Sequence, residues 1–167
     1  MAIIIEDGTI VSGANSYNSR ADYIAYALLL GTTIPDAVAA DVQLITATEF
    51  MESKRAQYKG EAVDRDQSLS FPRYNVVIDG FYWTHEEIPR QAKLCQMTLA
   101  LDINAGNDPY NPPVVRTRKS EEIDGAVKVA YFGRDQDVKL GKNSKWEALL
   151  NSLLNYSGMT SIELIRA

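Results

Sequence analysis

The chain contains very little of the side-chain chemistry that metal binding and disulfide formation require. Among its 167 residues there is one cysteine, Cys95, and one histidine, His85. A single cysteine cannot form an internal disulfide bond, which is typical of a protein that works in a reducing cytoplasm. One cysteine and one histidine also cannot form the ligand cluster that zinc prefers, so the sequence predicts no metal and no cofactor.

Groups for acid–base catalysis are equally scarce. We expect His85 to lie at the surface near the start of a helix, where a catalytic role is not favoured. The carboxylate pairs Glu86-Glu87 and Glu121-Glu122 are neighbours only in sequence, because adjacent side chains on a helix or strand point in different directions. Asp64 and Asp66 lack the full spacing of a calcium loop, and there is no glycine-rich phosphate loop. The sequence therefore predicts that the protein is not an enzyme.

Long apolar runs and an excess of positive charge are absent as well. No stretch reaches the roughly 18 apolar residues that indicate a membrane span, so no membrane partner is expected. The formal net charge is −5. Proteins that bind DNA non-specifically are usually basic, because their Lys and Arg side chains release the counterions of the phosphates. The acidic balance limits any DNA contact to a local surface and predicts weak binding to single-stranded DNA, without useful sequence preference.

What the chain does have is the composition of an ordinary globular domain, with 46% hydrophobic and 23% charged residues. Its hydrophobic periodicity and its capping residues predict about four helices. They are residues 20–30 after the cap Ser19, residues 33–55 with Thr33 as the cap, a helix that begins near Pro89, and a helix after Ser144 in which Glu147 completes a capping box.

Two further segments complete the predicted fold. Residues 56–83 show no helical period and are predicted as a long ordered loop, held by its own aromatic side chains, with Val76–Ile78 as a possible strand. Residues 114–131 alternate apolar and polar side chains around Asp124-Gly125, which predicts an inserted β-hairpin. The predicted fold class is therefore mainly α. A small bundle of about four helices in residues 1–155 carries the hairpin, and an extended C-terminal arm follows in residues 156–167.

The third predicted helix is apolar on two sides. One face, which we expect to pack in the core, consists of Ile88, Ala92, Cys95 and Leu99. The nearly opposite face consists of Leu94, Met97 and Leu101. A helix with two apolar faces is either central in its own domain or shared between subunits, and the sequence leaves both possibilities open. In the second case the opposite face forms a subunit interface.

Two segments carry candidate docking residues. Arg116 and Arg118 share one face of the first strand of the predicted hairpin, and Lys119 lies on the other face. These cations either protect an exposed strand edge from pairing, or contact an acidic partner protein or DNA in a pore. The C-terminal arm has more apolar side chains than a solvated tail needs, which predicts contact with a partner or a neighbouring subunit. The arm residues concerned are Ile162, Leu164, Ile165 and Arg166.

Four short motifs occur in a fixed order between about residues 3 and 154. They are Ile3-Ile4-Ile5-Glu6-Asp7-Gly8, Ala14-Asn15-Ser16-Tyr17, Leu69-Ser70-Phe71-Pro72-Arg73 and Ile88-Pro89-Arg90-Gln91-Ala92-Lys93. In order and spacing they resemble those of the head–tail connector (adaptor) proteins of tailed bacteriophages, a family whose members are often labelled DnaT-like and single-stranded-DNA-binding. Phe71 stands where a tryptophan is frequent in that family. The resemblance implies that the motifs are structural signatures rather than active-site residues.

The resemblance also implies a function. Connectors of this family usually assemble as dodecameric rings beneath the portal, where they extend the DNA channel and offer a docking surface to tail or neck proteins. We therefore expect a structural virion protein for head completion, assembled in the host cytoplasm. Its partners would be further copies of itself, the portal protein, a tail or neck protein and, transiently and without specificity, the genomic DNA. The C-terminal arm would dock on the portal or on an adjacent subunit.

The alternative function is that of a replication accessory protein that binds single-stranded DNA. A titration with DNA separates the two functions. The alternative predicts tight binding that weakens steeply as salt is added, because phosphate contacts release counterions.

Overall fold

The computed structural model describes residues 2–111 and 144–155 of the chain. These residues form α1 (Arg20–Leu29), α2 (Ala37–Glu52), α3 (Arg90–Asn104) and α4 (Lys145–Leu153), with a short 3₁₀ helix, Arg55–Gln57, after α2. α3 is central, because it packs extensively against α2 and α4 and also touches α1. The predicted mainly helical bundle is confirmed for these residues. The predicted hairpin at 114–131 and the predicted arm at 156–167 lie outside them.

Three of the four helices begin where their capping signals predict. The Ser19 hydroxyl, which precedes α1, accepts a hydrogen bond from the Asp22 N–H. α3 begins directly after Pro89. Before α4, the Ser144 N–H donates to the Glu147 carboxylate at 3.1 Å, as the predicted capping box requires. Local sequence is therefore sufficient to define these three helix starts.

α2 begins later and ends earlier than its sequence pattern predicts. Its cap is Asp36 rather than Thr33, and the Asp36 carboxylate accepts a hydrogen bond of 2.7 Å from the backbone N–H three residues later. Pro35 disfavours a helical conformation at the residue before it, so the helix starts only after the proline. At the other end the helix stops at Glu52, and Arg55 belongs to the 3₁₀ helix instead.

The core is formed by facing sides of α2, α3 and α4. On the predicted core face, Ala92, Cys95 and Leu99 of α3 are buried, and Ile88, which lies just before the helix begins, is buried as well. The fully buried residues of α2 include Ala40, Leu44, Ala47 and Met51. α4 contributes Trp146, Leu150 and Leu153. Each large side chain buried in this way contributes roughly 1.5–3 kcal/mol to stability, which makes the packing around α3 the main source of stability in the bundle.

One polar side chain, Gln96 of α3, is completely buried in this interior, and hydrogen bonds satisfy its amide group. The amide nitrogen donates to the hydroxyl groups of Ser16 at 2.8 Å and Thr48 at 2.7 Å. The amide oxygen accepts from the Tyr17 backbone N–H at 3.1 Å and from the Asn18 side chain at 2.7 Å. A buried polar group without partners costs about 1–3 kcal/mol. The motif that contains Ser16 and Tyr17 thereby fixes the N-terminal segment on α3.

The first motif, which contains Glu6 and Gly8, shapes the backbone of the N-terminal loop. The buried Glu6 carboxylate accepts hydrogen bonds of 3.0, 3.0 and 2.9 Å from the backbone N–H groups of Gly8, Ile10 and Val11. Gly8 has a φ of +113°, and a Cβ atom there would lie 2.1 Å from the carbonyl oxygen of Glu86. Only glycine fits such a position. The loop is thereby packed against the turn that precedes α3.

Residues 56–83 differ from the predicted long loop, because they contain two small antiparallel hairpins. β1 (Glu61–Ala62) pairs with β2 (Arg73–Tyr74), and β3 (Val76–Ile78) pairs with β4 (Phe81–Trp83). The possible strand at Val76–Ile78 is confirmed. Strands of two or three residues are too short to show a clear period of two, which is why the sequence does not predict the others.

Glu52, at the end of α2, connects the first part of this region to the core. Its carboxylate accepts hydrogen bonds from the Tyr17 hydroxyl at 2.9 Å, the Ser70 N–H at 2.9 Å and the Ser70 hydroxyl at 2.6 Å. The Tyr17 ring meets the Phe71 ring edge-on, with centroids 6.3 Å apart. Burial, together with the charge of Glu52, raises the pKa of Tyr17 well above its ordinary value. The motif that contains Ser70 and Phe71 is therefore also a structural contact.

Candidate nucleic-acid interface

β3 and β4 are connected by a tight turn of two residues. Asp79 and Gly80 have φ angles of +53° and +82°. Positive φ at both central positions is typical of a type I′ turn, and an Asp-Gly pair favours it. The register places Ile78 opposite Phe81, Val77 opposite Tyr82, and Val76 opposite Trp83. We call residues 74–85, which comprise this hairpin and the residues that flank it, the aromatic hairpin.

The two strands of the aromatic hairpin differ in burial. Val76 and Ile78 on β3 are each 1% exposed and anchor the hairpin on the core. Phe81 and Tyr82 on β4 are 74% and 81% exposed, and Trp83 is partly buried. Phe81 and Tyr82 are consecutive on β4 and therefore lie on opposite faces of the hairpin. Large aromatic rings exposed to solvent are typical of sites that bind a partner. β3 therefore holds the hairpin in place, while β4 presents its rings.

Tyr74 and His85, which flank the two strands, form a second aromatic pair at the base of the aromatic hairpin. The Tyr74 ring and the His85 imidazole have centroids 4.6 Å apart, with an angle of 38° between their planes. Tyr74 is 41% exposed, and His85 is exposed as well. The predicted surface position of His85 is confirmed, although the residue lies in a turn and α3 begins only at Arg90.

Arg73 fixes the position at which the aromatic hairpin leaves the core. Its guanidinium group donates hydrogen bonds of 2.9 Å to the carbonyl oxygens of Lys59 and Gly60. A Cβ atom at Gly60 would lie 2.0 Å from the carbonyl oxygen of Tyr74, so only glycine permits this approach. Burial lowers the pKa of Arg73 from its ordinary value. This cation therefore serves the fold and is not available as an exposed contact for phosphate.

The aromatic hairpin brings no positive charge of its own. Residues 74–87 contain the carboxylates of Asp79, Glu86 and Glu87 but no lysine or arginine. Asp79 accepts a long hydrogen bond of 3.4 Å from the Gln91 amide. The rings of this segment can stack on the flat faces of bases, whereas the segment itself supplies no cation for phosphates.

The structure places the predicted interface residues of α3 at different depths. Met97 is 8% exposed, and Leu94 and Leu101 are partly buried. Leu94 and Met97 line a groove of about 490 Å³ together with Tyr26 and Leu29 of α1. A second subunit on this side of α3 stays a prediction.

The other candidate residues lie outside residues 2–111 and 144–155. They are Arg116, Arg118 and Lys119 of the predicted hairpin, and Ile162, Leu164, Ile165 and Arg166 of the predicted arm. Their roles in docking stay predictions.

Reactive and metal-binding chemistry is limited in the part of the chain that the structure describes. Cys95 is completely buried, and burial raises the pKa of its thiol to about 12. In residues 2–111 and 144–155, no three His, Cys, Asp or Glu side chains are grouped as a metal ion would need. None of the helices in these ranges has both the length and the apolar character to cross a bilayer.

The described residues form a small, mainly helical domain that exposes aromatic rings on β4. A protein-family model described as "Putative DnaT-like ssDNA binding protein" matches residues 1–167. The chain therefore belongs to this family. No curated protein and no solved structure matches the chain.

The family match corrects the function predicted from the sequence. The predicted virion connector between portal and tail is wrong, because the matching family is described by single-stranded DNA binding, which was the alternative. The motifs that carry the resemblance make internal contacts, such as those of Glu6, Tyr17 and Ser70. These contacts stabilise the fold of the domain, and they do not indicate which ligand it binds. Among the predicted partners DNA is supported, whereas nothing supports a dodecamer, a portal protein or a tail protein.

Proposed function

We propose that the protein binds single-stranded DNA by stacking bases on the aromatic hairpin. The observation that carries this proposal is the exposure of Phe81 and Tyr82, at 74% and 81%. Proteins that bind single strands use aromatic side chains as stacking surfaces, and each stacked base contributes roughly 1–3 kcal/mol. Membership of a family described by single-stranded DNA binding supports the same function. The Tyr74–His85 pair at the base of the hairpin offers a further flat surface.

The charge of this surface determines the kind of binding we expect. Residues 74–87 have three carboxylates and no lysine or arginine, so few phosphates are neutralised there. For single strands, the logarithm of the binding constant falls with the logarithm of salt at a slope of about 0.7 for each neutralised phosphate. The steep salt dependence predicted for a DNA-binding function therefore does not apply to this surface. Binding should be weak, because few phosphates are neutralised. It should have little sequence preference, because every base can stack on an aromatic ring.

Fluorescence anisotropy with a labelled single strand tests the proposal on the full chain. Phe81→Ala and Tyr82→Ala should each weaken binding by roughly 5- to 150-fold if each ring stacks one base. Tyr82→Phe keeps the ring and should bind like the wild type. Tyr82→Leu keeps an apolar side chain but no ring, and it should bind more weakly than the wild type. Val38→Ala is the matched control, because Val38 is a 70% exposed apolar residue on α2.

Two results would contradict the proposal. If the double variant of Phe81 and Tyr82 binds DNA as well as the wild type does, the aromatic hairpin is not the interface. If the affinity falls with salt at a slope that corresponds to many phosphates, contacts to the backbone dominate instead. Binding to a duplex of the same sequence should be weaker than binding to the single strand, because paired bases do not offer their faces.

We also propose that the protein acts by binding and not as an enzyme. Groups suited to acid–base catalysis are scarce in the sequence, in which His85 is the single histidine. In the structure this imidazole lies against the Tyr74 ring, with an angle of 38° between the two planes. A location in the cytoplasm, inferred from the single cysteine, stays a prediction.

A further inference from the structure

We propose that a second copy of this chain docks on the groove between α1 and α3. This α1–α3 groove has a volume of about 490 Å³, and its lining includes Tyr26 and Leu29 of α1 and Leu94 and Met97 of α3. Ile5 of the N-terminal loop adds another apolar side chain to the lining. The proposal does not depend on DNA binding, because the groove contains no residue of the aromatic hairpin.

The end of α1 beside the groove is exposed and apolar. Leu28, Leu29 and Leu30 are 61%, 85% and 53% exposed. Consecutive residues at a helix end point in different directions, so the whole tip of α1 presents leucine to solvent. A surface that carries both a protrusion and a recess can pair with an identical surface, because each copy fills the recess of the other.

The charges around the groove favour a protein partner over nucleic acid. From Tyr23 to Pro35 the sequence has no charged residue, as is typical of the centre of a protein interface. Glu6, Asp7, Asp22 and Lys93 also line the groove. The three carboxylates disfavour phosphate groups. A border with both signs of charge, in contrast, allows opposite charges of two identical surfaces to face each other.

The exposed apolar area is of the size that the centre of a dimer interface needs. A large aliphatic side chain carries on the order of 100 Å² of apolar surface, so the exposed parts of Leu28, Leu29, Leu30 and Ile5 provide roughly 250 Å². A standard interface buries about 800 Å² on each partner, and somewhat more than half of that area is apolar. The end of α1 and Ile5 therefore supply about half of the apolar area, and the remaining apolar lining of the groove, from Tyr26, Leu94 and Met97, adds to it.

Sedimentation velocity over a series of concentrations tests the proposal on the full chain. The wild-type protein should shift from monomer to a larger species as its concentration rises. Leu29→Lys should weaken this self-association by about tenfold or more, and the core should remain intact because Leu29 is 85% exposed. Ala25→Trp, which fills the groove from an exposed position in its lining, should have the same effect.

Phe81→Lys is the matched control, because Phe81 is 74% exposed on the aromatic hairpin. It should leave self-association unchanged, whereas Leu29→Lys should weaken it. A wild-type protein that stays monomeric up to its solubility limit overturns the proposal. Self-association of Leu29→Lys and Ala25→Trp at wild-type strength also overturns it. Circular dichroism of each variant distinguishes a lost interface from a lost fold.

Discussion

Apart from Tyr74, which is 41% exposed, and Trp83, which is partly buried, the aromatic side chains on the two sides of Asn75 lie in opposite environments. Before it, Tyr58 and Phe71 are 2% and 1% exposed, and their ring centroids are 5.1 Å apart. After it, Phe81 and Tyr82 are 74% and 81% exposed. The two groups belong to one aromatic-rich segment of the sequence, so aromatic content alone does not separate core from surface. The difference in exposure comes from long-range packing, because the rings of the first group pack inside the domain and those of the second project into solvent.

The boundary between the two groups has a local cause in the backbone. Asn75 has a φ of +57°, in the left-handed region that asparagine tolerates better than most residues. Two residues before it, the Arg73 guanidinium group donates hydrogen bonds to the carbonyl oxygens of Lys59 and Gly60. The chain is therefore held firmly up to this point and then changes direction into the aromatic hairpin.

Replacing a ring on the buried side should have the largest effect. Phe71→Ala should lower the free energy of unfolding by about 3–5 kcal/mol, because it leaves a cavity between Tyr17 and Tyr58. Urea unfolding followed by circular dichroism measures this loss. A loss below about 1 kcal/mol would show that the buried and exposed groups do not differ in the way described.

Alkaline pH should have the next largest effect, through the buried tyrosines. Burial raises the pKa values of Tyr17, Tyr23 and Tyr58 above their ordinary value of 10.0 in the folded protein. Below that pH the tyrosines are protonated in both states and the full stability is present. Above it the unfolded chain loses protons that the folded chain keeps, so stability falls with pH.

Each such tyrosine should lower the free energy of unfolding by about 1.4 kcal/mol per pH unit above pH 10. The buried thiol of Cys95, whose pKa is raised to about 12, adds a fourth group with the same sign. Tyr58→Phe removes one of the four groups and should reduce the slope by about a quarter, measured by urea unfolding from about pH 10 to 11. The starting stability of this variant will also be lower, because the Tyr58 hydroxyl donates to the Met51 carbonyl oxygen at 2.8 Å. If the free energy of unfolding falls with pH at the same slope in Tyr58→Phe as in the wild type, Tyr58 does not have the raised pKa assigned to it.

Replacing a ring on the exposed side should have the smallest effect on stability. Tyr82→Ala should change the free energy of unfolding by less than about 0.5 kcal/mol, because Tyr82 is 81% exposed. The same sample should lose affinity for single-stranded DNA in the anisotropy experiment. A large loss of stability would mean that the ring supports the fold, and the comparison across Asn75 would then fail.

Much of the helical framework could be predicted because its signals are local. Ser19 and Ser144 cap helices through contacts with residues three positions away. The core face of α3 follows from its 3.6-residue periodicity. The start of α2 was predicted wrongly because Thr33 and Asp36 are both good caps, and only the constraint from Pro35 decides between them.

The candidate site was less predictable because it depends on contacts between distant segments. The Asp79-Gly80 turn signal is visible in the sequence, yet the strands beside it have only three residues each. Phe81 and Tyr82 are exposed because β3, and not β4, packs on the core. Hydrophobic periodicity in the sequence does not predict which of the two strands does so. The apolar second face of α3 was predicted, but the groove formed by Leu94 with α1 depends on the packing of the two helices.

The buried thiol of Cys95 has a practical consequence for measurements on this protein. Its side chain is completely buried, and burial raises its pKa to about 12, so almost no reactive thiolate forms at neutral pH. A cysteine introduced at the surface would therefore be alkylated selectively without removal of the natural one. Fluorescent labels attached through Tyr82→Cys or Leu29→Cys would report separately on the aromatic hairpin and on the α1–α3 groove, in a protein whose interior is unaltered.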